Sequence, residues 1–81
     1  MRLKQIQEYM RSMGYSFRYW EDNGCGTIEF DHRGLHYHIW EYPEPESGAE
    51  SNLESAGRSI EYTGDYETKI LNILKSWEGS W

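Results

Sequence analysis

A single cysteine, Cys25, leaves this chain no internal disulfide, which fits a reducing cytosol or a secreted chain that never needed a covalent staple. Long apolar runs are missing too. Each falls far short of the roughly 18–20 residues that cross a bilayer, so no membrane span is expected. The opening Met1-Arg2-Leu3-Lys4-Gln5-Ile6 contains no apolar signal-peptide core. The expected location is therefore cytoplasmic. Cations are few, 8 Lys and Arg against 14 Asp and Glu for a net charge of −6. That balance repels phosphate backbones and disfavours direct nucleic-acid binding. No glycine-rich phosphate loop occurs, since Ser47-Gly48 and Ala56-Gly57 only punctuate a polar stretch.

What the chain does have is aromatic mass. Four Trp, seven Tyr and two Phe among 81 residues argue for a folded core despite the polar average. Residues 1–81 form one small domain, too short to enclose a large pocket. Charge is unevenly spread: residues 1–20 carry a net +3 and residues 41–67 a net −7.

Leu3, Ile6, Met10 and Met13 recur at three- and four-residue steps, which predicts an amphipathic helix over 2–13 ended by Gly14. Tyr15, Phe17 and Tyr19 then alternate with polar residues up to Asn23-Gly24, a strong hairpin signal. Gly26 to Asp31 alternates again, with Ile28 and Phe30 inward. Asp31-His32-Arg33-Gly34 reads as a second turn. Leu35 to Tyr42 makes a third strand, stopped by Pro43 and Pro45. Residues 43–57 read as a mobile acidic loop. Arg58 to Tyr62 is available as a short fourth strand. Asp65 is the N-cap candidate of a final helix whose buried stripe is Tyr66, Ile70, Ile73, Leu74 and Trp77. Trp81 either folds back or lies exposed.

The resulting fold class is α+β. It is a two-layer sandwich in α-β-β-β-α order, with a three-stranded antiparallel meander and both helices on its one apolar face. The other face then carries Arg18, Trp20, Thr27, Glu29, His36, His38, Trp40 and Tyr42. Trp, Tyr and Arg are the usual anchors of protein interfaces, and an uncovered aromatic patch with a polar rim marks one. Arg18, Trp20, His36, His38, Trp40 and Tyr42 are the binding candidates. The expected function is a non-enzymatic protein-binding or regulatory module, or a homodimer, acting through this face.

Two other readings remain. Glu41, Glu44, Glu46, Glu50, Glu54 and Glu61 would form an acidic surface suited to nucleic-acid mimicry. His36 and His38 lie two apart on one strand face and could ligate a metal, with Glu29, Asp31 or His32 completing the set, but no specific spacing points to a third ligand. Cys25 has no basic neighbour or helix N-terminus to activate it, and carboxylates in a loop are not held for acid–base work, so no catalytic residue and no cofactor are expected.

The α-β-β-β-α order resembles the double-stranded-RNA-binding domain in topology. That resemblance implies cations at the start of the second helix, where this chain has Asp65-Tyr66-Glu67 and only then Lys69. In size, charge and element order the chain is also similar to small acidic proteins of phage and mobile elements, including some anti-CRISPR inhibitors, which present carboxylates to basic channels.

Overall fold

The computed structural model describes residues 1–43, 46–55 and 58–79. Among these residues the chain forms α1 (Lys4–Ser12), β1 (Arg18–Asp22), β2 (Cys25–His32), β3 (Leu35–Glu41), β4 (Ala49–Ser55), β5 (Arg58–Tyr62) and α2 (Tyr66–Gly79). The strands make one antiparallel sheet in the order β1-β2-β3-β4-β5. Leu3, Ile6 and Met10 from the α1 segment and Ile70, Leu71 and Leu74 from α2 join Ile28, Phe30, Ile39, Ala49, Leu53 and Tyr62 from the sheet in a single core. The expected α+β sandwich, with both helices on one face, is what the structure shows.

The strand count exceeds the expectation. Two strands, not one, follow the meander, so the element order departs from that of the double-stranded-RNA-binding domain. Ala49–Ser55, expected to lie in a mobile acidic loop, is β4. Of its core-side residues Ala49 is small, Ser51 is polar and only Leu53 is a large apolar group, so the segment shows no run of apolar alternation. Ser51 is fully buried, and Asn52 is buried as well. The Asn52 side chain explains how polar residues form a strand here. Its Oδ1 accepts from the His38 backbone N–H at 2.9 Å and its Nδ2 donates to the His36 carbonyl at 3.0 Å. The amide thus satisfies β3 backbone groups beside a register shift in the β4–β5 pairing. Glu44, Pro45, Ala56, Gly57 and Trp81, on which other expectations fell, lie outside the described residues.

The β1–β2 and β2–β3 turns are each two residues long. Asn23-Gly24 and Arg33-Gly34 each have two positive φ values, the primed geometry that matches strand twist. The second turn is therefore shorter than expected, and Asp31 and His32 belong to β2. Leu35 has the parity of a core residue but sits at the end of this hairpin and is exposed. α1 is shorter than 2–13. Gly14 N–H bonds the Arg11 carbonyl and Tyr15 N–H the Met10 carbonyl, the Schellman arrangement, and Met13 turns out to solvent. The other end of α1 has no side-chain cap of its own, because the residue there is Leu3, left-handed and with no side-chain acceptor. Glu67 of α2 supplies one, accepting from Gln5 N–H at 2.8 Å and Ile6 N–H at 3.3 Å.

Candidate functional site

Alternation along the strands gives the face opposite the helices a fixed set of residues. Register then arranges them in rows. Trp20 lies opposite Thr27, Thr27 opposite Trp40, Trp40 opposite Glu50 and Glu50 opposite Glu61. This row crosses all five strands and runs about 19 Å at the usual interstrand spacing. A second row places Arg18 opposite Glu29 and Glu29 opposite His38. Trp20 and Trp40 are 43% and 40% exposed, large apolar side chains left uncovered on this face.

The candidate residues play different parts. Arg18 pairs with Glu29 at 3.1 Å, so its charge is locally matched. His36 is exposed, with Nδ1 2.8 Å from Asp31 and Nε2 3.6 Å from Glu29. The His38 side chain is only 13% exposed. Its ring stacks on Trp40 at a centroid separation of 4.0 Å and an interplanar angle of 28°. Its Nε2 lies 2.9 Å from Ser59 Oγ and 3.8 Å from Glu50. His38 therefore buttresses Trp40 and presents little surface itself. Tyr42 is half-buried, and burial together with hydrogen bonding to Glu61 and the nearby charges of Glu50 and Glu61 pushes its hydroxyl up to about 12. The phenol stays protonated beside two carboxylates that would otherwise only repel.

The expected acidic surface is redistributed. Glu41 is buried, because its parity along β3 points it into the helix-covered side. Glu54 accepts from the Tyr62 hydroxyl at 2.6 Å. Glu46 is exposed in the β3–β4 connection. Glu50 and Glu61 instead join the tryptophan row. Sequence reasoning missed that convergence, together with Ser59 as the partner of His38, because both depend on β4 pairing with its neighbours. The alternation of Ile60 and Tyr62 was the available signal for placing Ser59 and Glu61 outward.

Among the described residues no group of three or more His, Cys, Asp or Glu is placed to hold a metal ion. His36 and His38 turn to different partners, so the pair gains no third ligand. Cys25 is half-exposed, with its sulfur 3.8 Å from the Asn23 carbonyl.

Burial lowers the His38 imidazole below its ordinary value, outweighing Glu50 and Glu29, which raise it; His36 adds to the lowering. A depressed histidine favours the fold while neutral. Its stabilisation is complete above the unfolded value of about 6.5 and is lost as pH falls from there through the lower folded value. This places the response of His38 below about pH 6.5. Urea unfolding of the wild type should shift to lower midpoints between pH 7 and pH 5, and more steeply than in His38→Gln. Parallel profiles in the two proteins would exclude His38 as the group responsible.

No protein-family model, curated protein or solved structure matches this chain.

Proposed function

We propose that this chain is a non-enzymatic protein-binding module whose working surface is the helix-free face of the sheet, centred on Trp20 and Trp40. The observation that carries this reading is the row Trp20-Thr27-Trp40. It holds two exposed indoles on adjacent-but-one strands of a rigid sheet, one of them braced by a stacked histidine. Indoles lose little conformational freedom on binding and bury large areas, so they supply most of the energy in interfaces that contain them. Bracing by His38 lowers the ordering cost of Trp40 further.

The test compares Trp40→Ala with Lys75→Ala, which changes an exposed position on α2. Each tagged protein is used to capture partners from its host extract, and light scattering is run on each across a concentration range. Trp40→Ala should lose a partner that both the wild type and Lys75→Ala retain, with affinity reduced by about 2 kcal/mol or more, the scale of an interface anchor. Equal capture by all three proteins would overturn the reading. A concentration-dependent dimer that dissociates in Trp40→Ala would make the occupant a second copy of the chain.

A further inference from the structure

We infer that the partner segment seated on this face is basic and extended, with an Arg or Lys side chain lying over Thr27 between Trp20 and Trp40 and its neighbouring cation meeting Glu50 and Glu61. The inference rests on the proposed binding face and adds the chemistry of its ligand. Three features of the face point to that chemistry.

The first is charge. The outward positions of the sheet hold Asp22, Glu29, Asp31, Glu50 and Glu61 against Arg18 alone among the described residues. Arg18 is matched by Glu29. Asp31 is held by His36, which leaves Asp22, Glu50 and Glu61 with no Lys or Arg ion pair among the described residues, an acidic excess around the indoles. A second copy of the same face would bring that excess against itself, and a nucleic acid would add phosphates to it. A cationic segment is the complement.

The second is register. Glu50 and Glu61 stand directly opposite each other on β4 and β5. Like charges in that position destabilise a sheet. Tyr42 softens the repulsion but supplies no positive charge. A cation arriving from outside would relieve the repulsion, so binding gains energy that the free protein lacks.

The third is spacing. Trp20 and Trp40 flank Thr27, so their backbones are about 10 Å apart at two interstrand steps. The residue between them is a threonine, much smaller than an indole, so a guanidinium or ammonium stem seated over it would lie between the two tryptophans, within reach of a cation–π arrangement that strengthens where water is excluded. From that point to Glu50 is two strands, and to Glu61 three. Residues i and i+2 of an extended segment are separated by about 7 Å, so side chains on one edge of it reach both places. The full row of about 19 Å corresponds to about six extended residues.

The experiment uses the full chain labelled with 15N and three blocked peptides of about six residues, alternating Thr with Arg, with Lys or with Glu. The indole N–H signals of Trp20, Trp40 and Trp77 are followed during titration. The Arg and Lys peptides should shift Trp20 and Trp40 saturably and leave Trp77, which packs against His32 and Phe30 on the other side. The Glu peptide should shift none. Glu50→Gln/Glu61→Gln should weaken Arg-peptide binding about tenfold, while Glu8→Gln/Glu46→Gln, which removes equal charge elsewhere, should change it less than about twofold. No shift at Trp20 and Trp40, or equal weakening by the two double variants, would overturn the cationic ligand. If the captured partner is lost by Trp40→Ala but kept by Glu50→Gln/Glu61→Gln, the binding face stands and its basic ligand falls. Indifference of the partner to Trp40→Ala would remove the face itself.

Discussion

Gly48→Ala should lower the thermal midpoint by about 15 °C or more, the effect of roughly 3–5 kcal/mol in a domain of this size. Gly48 is buried with φ at +145°, a backbone that L side chains rarely adopt. A Cβ placed there would stand 2.6 Å from the Tyr62 carbonyl oxygen and 3.4 Å from the Tyr42 ring. The carbonyl is main chain at the end of β5 and has no rotamer through which to escape. Gly48 cannot retreat either, since its own carbonyl accepts from Tyr42 N–H at 2.9 Å. The damage would reach the candidate site, because this crossing sets Tyr42 beside Glu50 and Glu61. Gly34→Ala is the control. It also has positive φ but nothing within 4 Å of the added carbon, and should cost about 1–2 kcal/mol. Scanning calorimetry of the two variants checks the difference. Similar midpoints would mean that backbone strain, and not the close approach to Tyr62, governs Gly48.

Glu41→Gln should be nearly as damaging, by about 2–4 kcal/mol. The Glu41 carboxylate is buried on the inner side of β3 and accepts from four donors: Gly26 N–H at 2.7 Å, the Tyr66 hydroxyl at 2.5 Å, and Arg2 Nε and Nη2 at 2.5 and 3.3 Å. Glutamine fits the space but offers one acceptor atom and turns an NH2 group toward donors. Arg2 is half-exposed, so water screens its share, and most of the loss falls on Gly26 and Tyr66. Gly26 has a second role. A Cβ there would meet Glu41 Oε1 and Arg2 Cβ at 3.1 Å, so glycine lets the carboxylate reach its amide.

The sign of the pH dependence follows from the same contacts. Burial pushes the Glu41 carboxyl up, but hydrogen bonds from Arg2, Tyr66 and the Gly26 amide, with the Arg2 charge, outweigh it and hold the group below the usual carboxylate range. A depressed carboxyl stabilises the fold fully above its unfolded value of about 4.3, and the contribution is lost as pH falls through the folded value. Glu41→Gln should therefore be less stable than the wild type at pH 7 and converge toward it below about pH 4. Denaturation curves at the two pH values measure this. A constant difference would assign the cost to packing instead of ionisation.

Local pattern was a good guide wherever one segment's own chemistry decided its structure. Asn23-Gly24 dictated a hairpin because those residues take positive φ cheaply. Gly14 ended α1 for the same reason. Alternation through Ile28, Phe30, Tyr37 and Ile39 marked the core side of β2 and β3, and with it the opposite face that carries Trp20, His38 and Trp40. Pattern failed where a neighbour supplied what the segment lacked. Ala49–Ser55 looked like a loop because Ser51 and Asn52 bury polar atoms, and the Asn52 amide becomes strand-compatible only beside the open backbone groups of His36 and His38. Glu41 looked like surface charge because its compensating donors come from residues 2, 26 and 66, far away along the chain.

The same division runs through the candidate site. Composition and alternation by themselves determined that two tryptophans would share a sheet face with histidines and an arginine, since side-chain direction in a strand is a property of parity alone. They also determined the charge excess, a sum over residues that folding does not alter. Only the tertiary structure decided which carboxylates stand beside the indoles. β4 and β5 had to pair in a particular register for Glu50 and Glu61 to extend the tryptophan row, while Glu41 was drawn inside. Register is fixed by the summed burial and hydrogen bonding of many residues at once, so the position of a single glutamate cannot be read from its immediate neighbours.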